Sequence, residues 1–120
     1  MTAARIIALA DGLRPNQYTE ADKLRWLSRL DGQLYLELMA AYGEPGEAPA
    51  ESYTAETRLL APSPWAEELY CAYLFSQFDL HNGEIEKYNQ SATLFAAARR
   101  QYADWYNRTH RATGLSGFRF

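Results

Sequence analysis

The chain has 120 residues, of which 48% are hydrophobic and 14% aromatic, and its formal net charge is -3. This length suits one domain, 1–120, and the apolar content excludes an intrinsically disordered protein. The net charge argues against a protein that binds duplex DNA on its own, because that function requires a strongly basic face.

Residues 1–12 have the pattern of a short helix. Apolar Ile6, Leu9 and Ala10 lie on one face of such a helix, and Gly12 follows them. A glycine at this place is typical of a helix end, and the Arg-Pro-Asn sequence that follows favours a turn.

A longer amphipathic helix is expected over 19–42, with its regular part from about Glu20 to Ala41. Thr19 is the expected N-cap, because an acid, Asp22, occupies the third helical position after it. Apolar residues then recur at spacings of three and four, which is the helical period. These are Leu24, Leu27, Leu30, Leu34, Leu38 and Ala41.

Residues 43–63 predict a long loop, because they are rich in Pro, Gly, Ala and Glu. A loop of about twenty residues is long for a compact domain and is often used for contacts. Tyr53, Leu59 and Leu60 are the candidate partner contacts within it. We expect deletion of this loop, or of the C-terminal residues 111–120, to preserve the helical circular-dichroism signal and to weaken assembly.

Residues 64–110 predict either a helical hairpin or one long kinked helix. Ser63 is the expected cap and Pro64 suits the first helical turn. A His-Asn-Gly sequence at 81–83 marks the break or kink. Apolar stripes precede and follow it. Their main members are Trp65, Leu69, Ala72, Tyr73 and Ser76, and then Tyr88, Ala92, Phe95, Ala98, Tyr102, Trp105 and Thr109.

Residues 111–120 are expected to form a flexible tail, with a docking hook for a neighbouring subunit as the alternative. Arg111, Phe118, Arg119 and Phe120 are its candidate contact residues. The predicted fold is therefore all-α. It is a small bundle of about four helices, with a long loop between the second and third helices and this C-terminal tail.

Charge is unevenly distributed along the chain. Acidic residues dominate from 43 to 68, and arginines dominate from 99 onward. The acids are Glu44, Glu47, Glu51, Glu56, Glu67 and Glu68. Unlike charges in separate regions favour head-to-tail self-association or docking to a charged neighbour, and two solvated surfaces are the alternative.

The residues that carry most enzyme chemistry are sparse and scattered. Cys71 is the only cysteine, so an intramolecular disulfide and a thiolate metal cluster are excluded. His81 and His110 are far apart in sequence and have no ligand partner at helical spacing. We therefore expect neither an enzyme nor a cofactor. No leader or long apolar stretch is evident, which favours a protein that folds in a reducing cytoplasm without a membrane.

Arginines and aromatic residues alternate near the end of the last predicted helix. Arg99, Arg100 and Arg108 form a possible DNA-proximal basic face, with Tyr102 and Trp105 between them. Such a face can hold nucleic acid through phosphate contacts and stacking. A core helix with a basic outer side is the alternative.

Several segments together resemble a known family. They are Trp26-Leu27-Ser28-Arg29-Leu30-Asp31-Gly32, Glu68-Leu69-Tyr70-Cys71-Ala72-Tyr73-Leu74, Gln77-Phe78-Asp79, Asn82-Gly83-Glu84-Ile85, Lys87-Tyr88-Asn89-Gln90-Ser91, Leu94-Phe95-Ala96-Ala97 and Tyr102-Ala103-Asp104-Trp105-Tyr106-Asn107-Arg108-Thr109-His110. They cover about half of the chain and are similar to the head–tail connector, or adaptor, proteins of tailed phages and prophages.

This resemblance implies a structural subunit that assembles as a ring beneath the portal and joins the filled head to the tail. The expected partners are further copies of the chain and the portal and tail proteins, while DNA passes through the ring unaltered. The expected locations are the host cytoplasm during assembly and then the head–tail junction of the virion. The alternative function is a small helical protein- or DNA-binding module without catalytic activity.

Overall fold

The structure, a computed structural model, describes residues 1–39, 49–50 and 52–110. Over these residues the chain contains four α-helices and no β-strand, so the predicted all-α fold with a loop between the second and third helices is confirmed. The helices are α1 (Ala3–Leu13), α2 (Glu20–Leu34), α3 (Ala66–Asn82) and α4 (Ile85–His110). A π-helical turn, Tyr35–Met39, continues α2. The predicted tail, 111–120, lies outside the described residues.

The first two helices begin where their side chains can satisfy free backbone N–H groups. At α1, the Thr2 hydroxyl accepts a hydrogen bond from the Arg5 N–H at 3.4 Å. At α2, the Thr19 hydroxyl accepts from the Asp22 N–H at 3.1 Å, and the Asp22 carboxylate accepts from the Thr19 N–H at 3.4 Å. This reciprocal pair is the capping box that the sequence predicted.

Helix α3 begins at Ala66, so the prediction of a helix start at Pro64 with Ser63 as cap was wrong. The carbonyl oxygen of Pro62 accepts hydrogen bonds from the N–H groups of Trp65 and Ala66, at 2.9 and 3.1 Å. These bonds form a turn that satisfies the donors a Ser63 cap would have served. The helix therefore has no side-chain cap.

The chain reverses direction between α3 and α4. Gly83 adopts a left-handed conformation with φ 75°, which glycine allows without steric cost. The two helices then run antiparallel as a hairpin. Contacts between them join residues progressively closer to the turn. These contacts are Trp65 with Trp105 (ring centroids 5.8 Å apart), Tyr73 with Phe95 (5.0 Å) and the hydroxyl of Ser91 with the carboxylate of Asp79 (2.8 Å).

Helix α3 lies at the centre of the core, which is a usual position for a helix that is apolar over most of its circumference. It packs against α1, α2 and α4 and is buried on most of its circumference. Its most buried large side chains are Leu69, Tyr70, Leu74 and Phe78. The other helices contribute narrower stripes, and in α2 these include buried Trp26, Leu27, Leu30 and Leu34.

Residues 52–61, which we name the return segment, lie within the predicted loop but form part of the folded body. Their backbone pairs with the start of the chain: the N–H of Ala3 donates to the carbonyl of Thr57, and the N–H of Leu59 donates to the carbonyl of Met1, both at 2.9 Å. Leu59 and Ala61 are buried in the core. Deletion of the whole loop would remove these core groups, so we no longer expect it to preserve the fold.

Replacement of Leu59 by Ala tests this role of the return segment. We expect the free energy of unfolding to fall by about 2–4 kcal/mol, since truncation of a buried leucine leaves a cavity. Leu36→Ala is the control, because that leucine is 69% exposed and its loss is expected to cost less than about 0.5 kcal/mol. Urea unfolding followed by circular dichroism measures both. Equal effects of the two substitutions would contradict the assignment.

Candidate functional site

A buried carboxylate, Asp31, joins three parts of the chain. It lies on α2 with 0% of its surface exposed. One carboxylate oxygen accepts a hydrogen bond from the hydroxyl of Tyr70 at 2.5 Å. The other accepts from the hydroxyl of Tyr53 at 2.7 Å and from the N–H of Leu60 at 3.0 Å. The Tyr70 hydroxyl accepts in turn from the N–H of Ala61 at 2.8 Å. We name this group the Asp31 cluster.

Burial sets the protonation behaviour of the Asp31 cluster. It raises the pKa of the Asp31 carboxyl, and the hydrogen bonds from Tyr70, Tyr53 and Leu60 oppose that rise. Burial and the nearby carboxylate also raise the pKa of the Tyr53 and Tyr70 hydroxyls, which therefore remain protonated donors at neutral pH. Every donor already has an acceptor within the chain. The cluster consequently fastens the return segment to α2 and α3 and offers no free group for catalysis.

A second buried carboxylate, Asp79, joins α1 to the helical hairpin. The guanidinium of Arg14 donates to both of its oxygens, at 2.5 and 3.2 Å, and the hydroxyl of Ser91 donates at 2.8 Å. The hydrogen bond from Arg14 holds the pKa of the Asp79 carboxyl below its ordinary value. The same guanidinium lies over the ring of Phe75, 5.1 Å from its centroid. This pairing is also internal and structural.

The surface of the hairpin has an apolar groove on one side of α4, which we name the Leu94 groove. It has a volume of about 220 Å³. Its lining residues are Glu68, Cys71, Ala72, Phe75, Ser91 and Leu94. Leu94 is 67% exposed, although it is a large apolar residue. The volume is below the range of about 300–1,000 Å³ that is usual for small-molecule pockets, so the groove is smaller than a typical ligand site.

The opposite side of α4 has a wider and more polar groove, which we name the Arg99 groove. It lies between α4 and the end of α2, with a volume of about 820 Å³. Its lining residues are Gln33, Glu37, Phe95, Ala96, Arg99, Arg100 and Ala103. Arg99 forms an ion pair with Glu37, whereas Arg100 is exposed and has no ion pair within the described residues.

The three arginines of the possible DNA-proximal face do not share one surface. Arg99 and Arg108 are nine residues apart, or two and a half helical turns, and so lie on opposite sides of α4. Arg99 is engaged by Glu37, and only Arg100 is both close to it and exposed. Arg100 and Arg108 are eight residues apart, or about 80° around α4, and both are exposed, so the structure brings two of the three arginines to one side of the helix.

The predicted partner contacts in the return segment differ in how deeply they are buried. Leu59 is 4% exposed and belongs to the chain's own core, so it leaves the set of candidate contacts. Tyr53 and Leu60 are half-buried and bonded to Asp31 through the Tyr53 hydroxyl and the Leu60 backbone. The other candidates, Arg111, Phe118, Arg119 and Phe120, lie outside the described residues.

The described part of the chain offers no group of three or more His, Cys, Asp or Glu side chains placed to hold a metal ion. Among its helices, none combines the length and apolar character needed to cross a membrane. Comparison of the chain with protein-family models, with curated proteins and with solved structures finds no match. The two grooves beside α4 are therefore the surface features that bear on function.

Replacement of Asp31 by Ala tests the Asp31 cluster. We expect the free energy of unfolding to fall by roughly 3 kcal/mol, because each buried donor left without an acceptor costs about 1–3 kcal/mol. Tyr53→Phe removes only one half-buried donor and should cost about 1 kcal/mol. Denaturant unfolding compares the two variants with the wild type. If the free energy of unfolding of the Asp31→Ala variant equals that of the wild type, the cluster does not hold the return segment.

The thiol of Cys71 provides a second test, at the floor of the Leu94 groove. Burial, with the nearby charge of Glu67, raises the pKa of this thiol to about 11. Because the thiolate is the reactive form, we expect native protein at pH 8 to react with an aromatic disulfide reagent about 100-fold more slowly than denatured protein. The reaction is followed by absorbance, with the denatured chain as control. Equal rates would mean that the thiol is freely accessible.

Proposed function

We propose that the chain is a structural subunit of virion assembly, a head–tail connector that joins the portal to the tail in a tailed phage or prophage. The resemblance of segments in α2, α3 and α4 to that family motivates the proposal. The observation that supports it best is the pair of unlike grooves on the two sides of α4. A subunit that must contact two neighbours needs two such surfaces.

The interior agrees with a structural role. The carboxylates of Asp31 and Asp79 are both occupied by donors from the same chain, and Cys71 is buried with a raised pKa. The pKa of each of these groups is shifted from its ordinary value, and each group has an internal partner or an apolar environment. The chemistry of the buried groups thus stabilises the subunit, and the exterior is left to perform the function.

The alternative function is a small protein- or DNA-binding module, and DNA binding is the less well supported of the two. Phosphate recognition requires several free cations on one surface. Here Arg99 is paired with Glu37 and lies on the other side of the helix from Arg108, so only Arg100 and Arg108 of the three arginines are exposed on one side. A protein partner remains compatible with either groove, and the experiment below separates the two functions.

Interruption of the gene by a stop codon, in the phage or prophage genome that encodes it, tests the connector function. We expect induced lysates to contain DNA-filled heads and separate tails, because the joint between them is missing. A plasmid copy of the gene should restore complete particles, as seen by negative-stain electron microscopy. Tailed particles at the wild-type frequency without the gene would overturn the proposal.

A further inference from the structure

We propose that the Leu94 groove of one copy of the chain binds the Arg99 groove side of a second copy, so that α4 is the contact between neighbouring subunits. The inference rests on the proposed function, since it names the surfaces by which connector subunits would contact one another. Charge, exposed apolar surface and the position of the two grooves on the hairpin support it.

The charges of the two sides are complementary. Glu68 lines the Leu94 groove, and its neighbour Glu67 is also exposed; neither forms an ion pair among the described residues. On the other side, Arg100 is exposed and likewise without an ion pair in the described structure. Arg99 shares its charge with Glu37, so the residues that line the Arg99 groove have a positive excess of one charge, that of Arg100. An acidic rim that meets this excess would gain contacts that neither surface makes within its own chain.

Apolar surface on both sides supplies the rest of the contact. Leu94 projects from one side with 67% of its surface exposed, next to half-buried Phe75. On the other side, Ala96 and Ala103 leave room beside half-buried Phe95. Exposed ion pairs alone contribute little to affinity, so the burial of Leu94 would provide a larger share of it.

The positions of the grooves favour a closed arrangement. Leu94 and Arg99 are five residues apart and so lie about 140° apart around α4. Trp65, just before α3, contacts Trp105 of α4. Glu68 lies three residues after Trp65, and Arg100 lies five residues before Trp105. At 1.5 Å per residue, their heights along the hairpin differ by only about 3 Å. When two contact surfaces lie on different sides of a subunit at the same height, each neighbour is related to the next mainly by a rotation. Such a rotation without a large translation allows a ring to close.

The test is the association of purified full-length protein, measured by light scattering and sedimentation across a range of concentrations. We expect Arg100→Glu and Glu68→Arg each to raise the concentration needed for association about tenfold, since each replaces an attraction by a repulsion. The two variants mixed in equal amounts should associate like the wild type, because an alternating assembly then has opposite charges at every contact. The double variant, which carries both substitutions, should also associate like the wild type.

Arg5→Glu and Glu86→Arg are matched controls, because they change exposed charges on α1 and at the start of α4 by the same amount and should not alter association. Leu94→Ser tests the apolar part and is also expected to weaken association about tenfold. Circular dichroism confirms that each variant is folded.

Two results would overturn the inference. If the wild type associates but the charge variants match their controls, or the mixture fails to restore association, another surface is used and the connector function stands. If the wild type remains a monomer at every concentration, the chain does not bind itself through α4. A connector function would then depend on binding to a portal, which the gene interruption tests separately.

Discussion

The fold depends most on one interaction, the acceptance of three hydrogen bonds by the buried carboxylate of Asp31. Two of the donors, Tyr53 and the backbone of Leu60, belong to the return segment, and the third, Tyr70, belongs to the central helix. A buried carboxylate without these donors would be strongly unfavourable, so the segment is held where the donors meet the acceptor. That position also brings Leu59 into the core and pairs the segment with the start of the chain.

Local signals in the sequence were sufficient for most of the helices. The capping pair Thr19 and Asp22, the leucine period that follows and the glycine at position 83 each act within a few residues, and the structure contains the helices that they predict. The start of α3 was misplaced because a backbone carbonyl, that of Pro62, supplies the cap. Nothing in the local sequence distinguishes that arrangement from a cap by Ser63.

The return segment was missed for a different reason. It directly follows a stretch, 43–51, whose Pro, Gly and Glu content is that of a loop, and its partner Asp31 is more than twenty residues away. One signal was available: an aspartate follows Leu30 directly within the apolar region of α2, where a charged residue requires donors from elsewhere. The identity of those donors, and likewise the pairing of Arg14 with Asp79, is decided by tertiary contacts that spacing alone does not contain.

The acidic region, 43–68, and the basic region, from 99 onward, are arranged differently in the fold than the linear sequence suggests. From the sequence, Glu67 and Glu68 belong to an acidic region and Arg99 and Arg100 to a basic one, which suggests two distant ends. The hairpin instead brings both pairs to nearly the same height and separates them around α4. Arg99 is paired with Glu37, whereas Glu67, Glu68 and Arg100 form no ion pair among the described residues. In the proposed association through α4, these charges would determine how two copies meet, and the angle between copies would decide between a ring and an open filament.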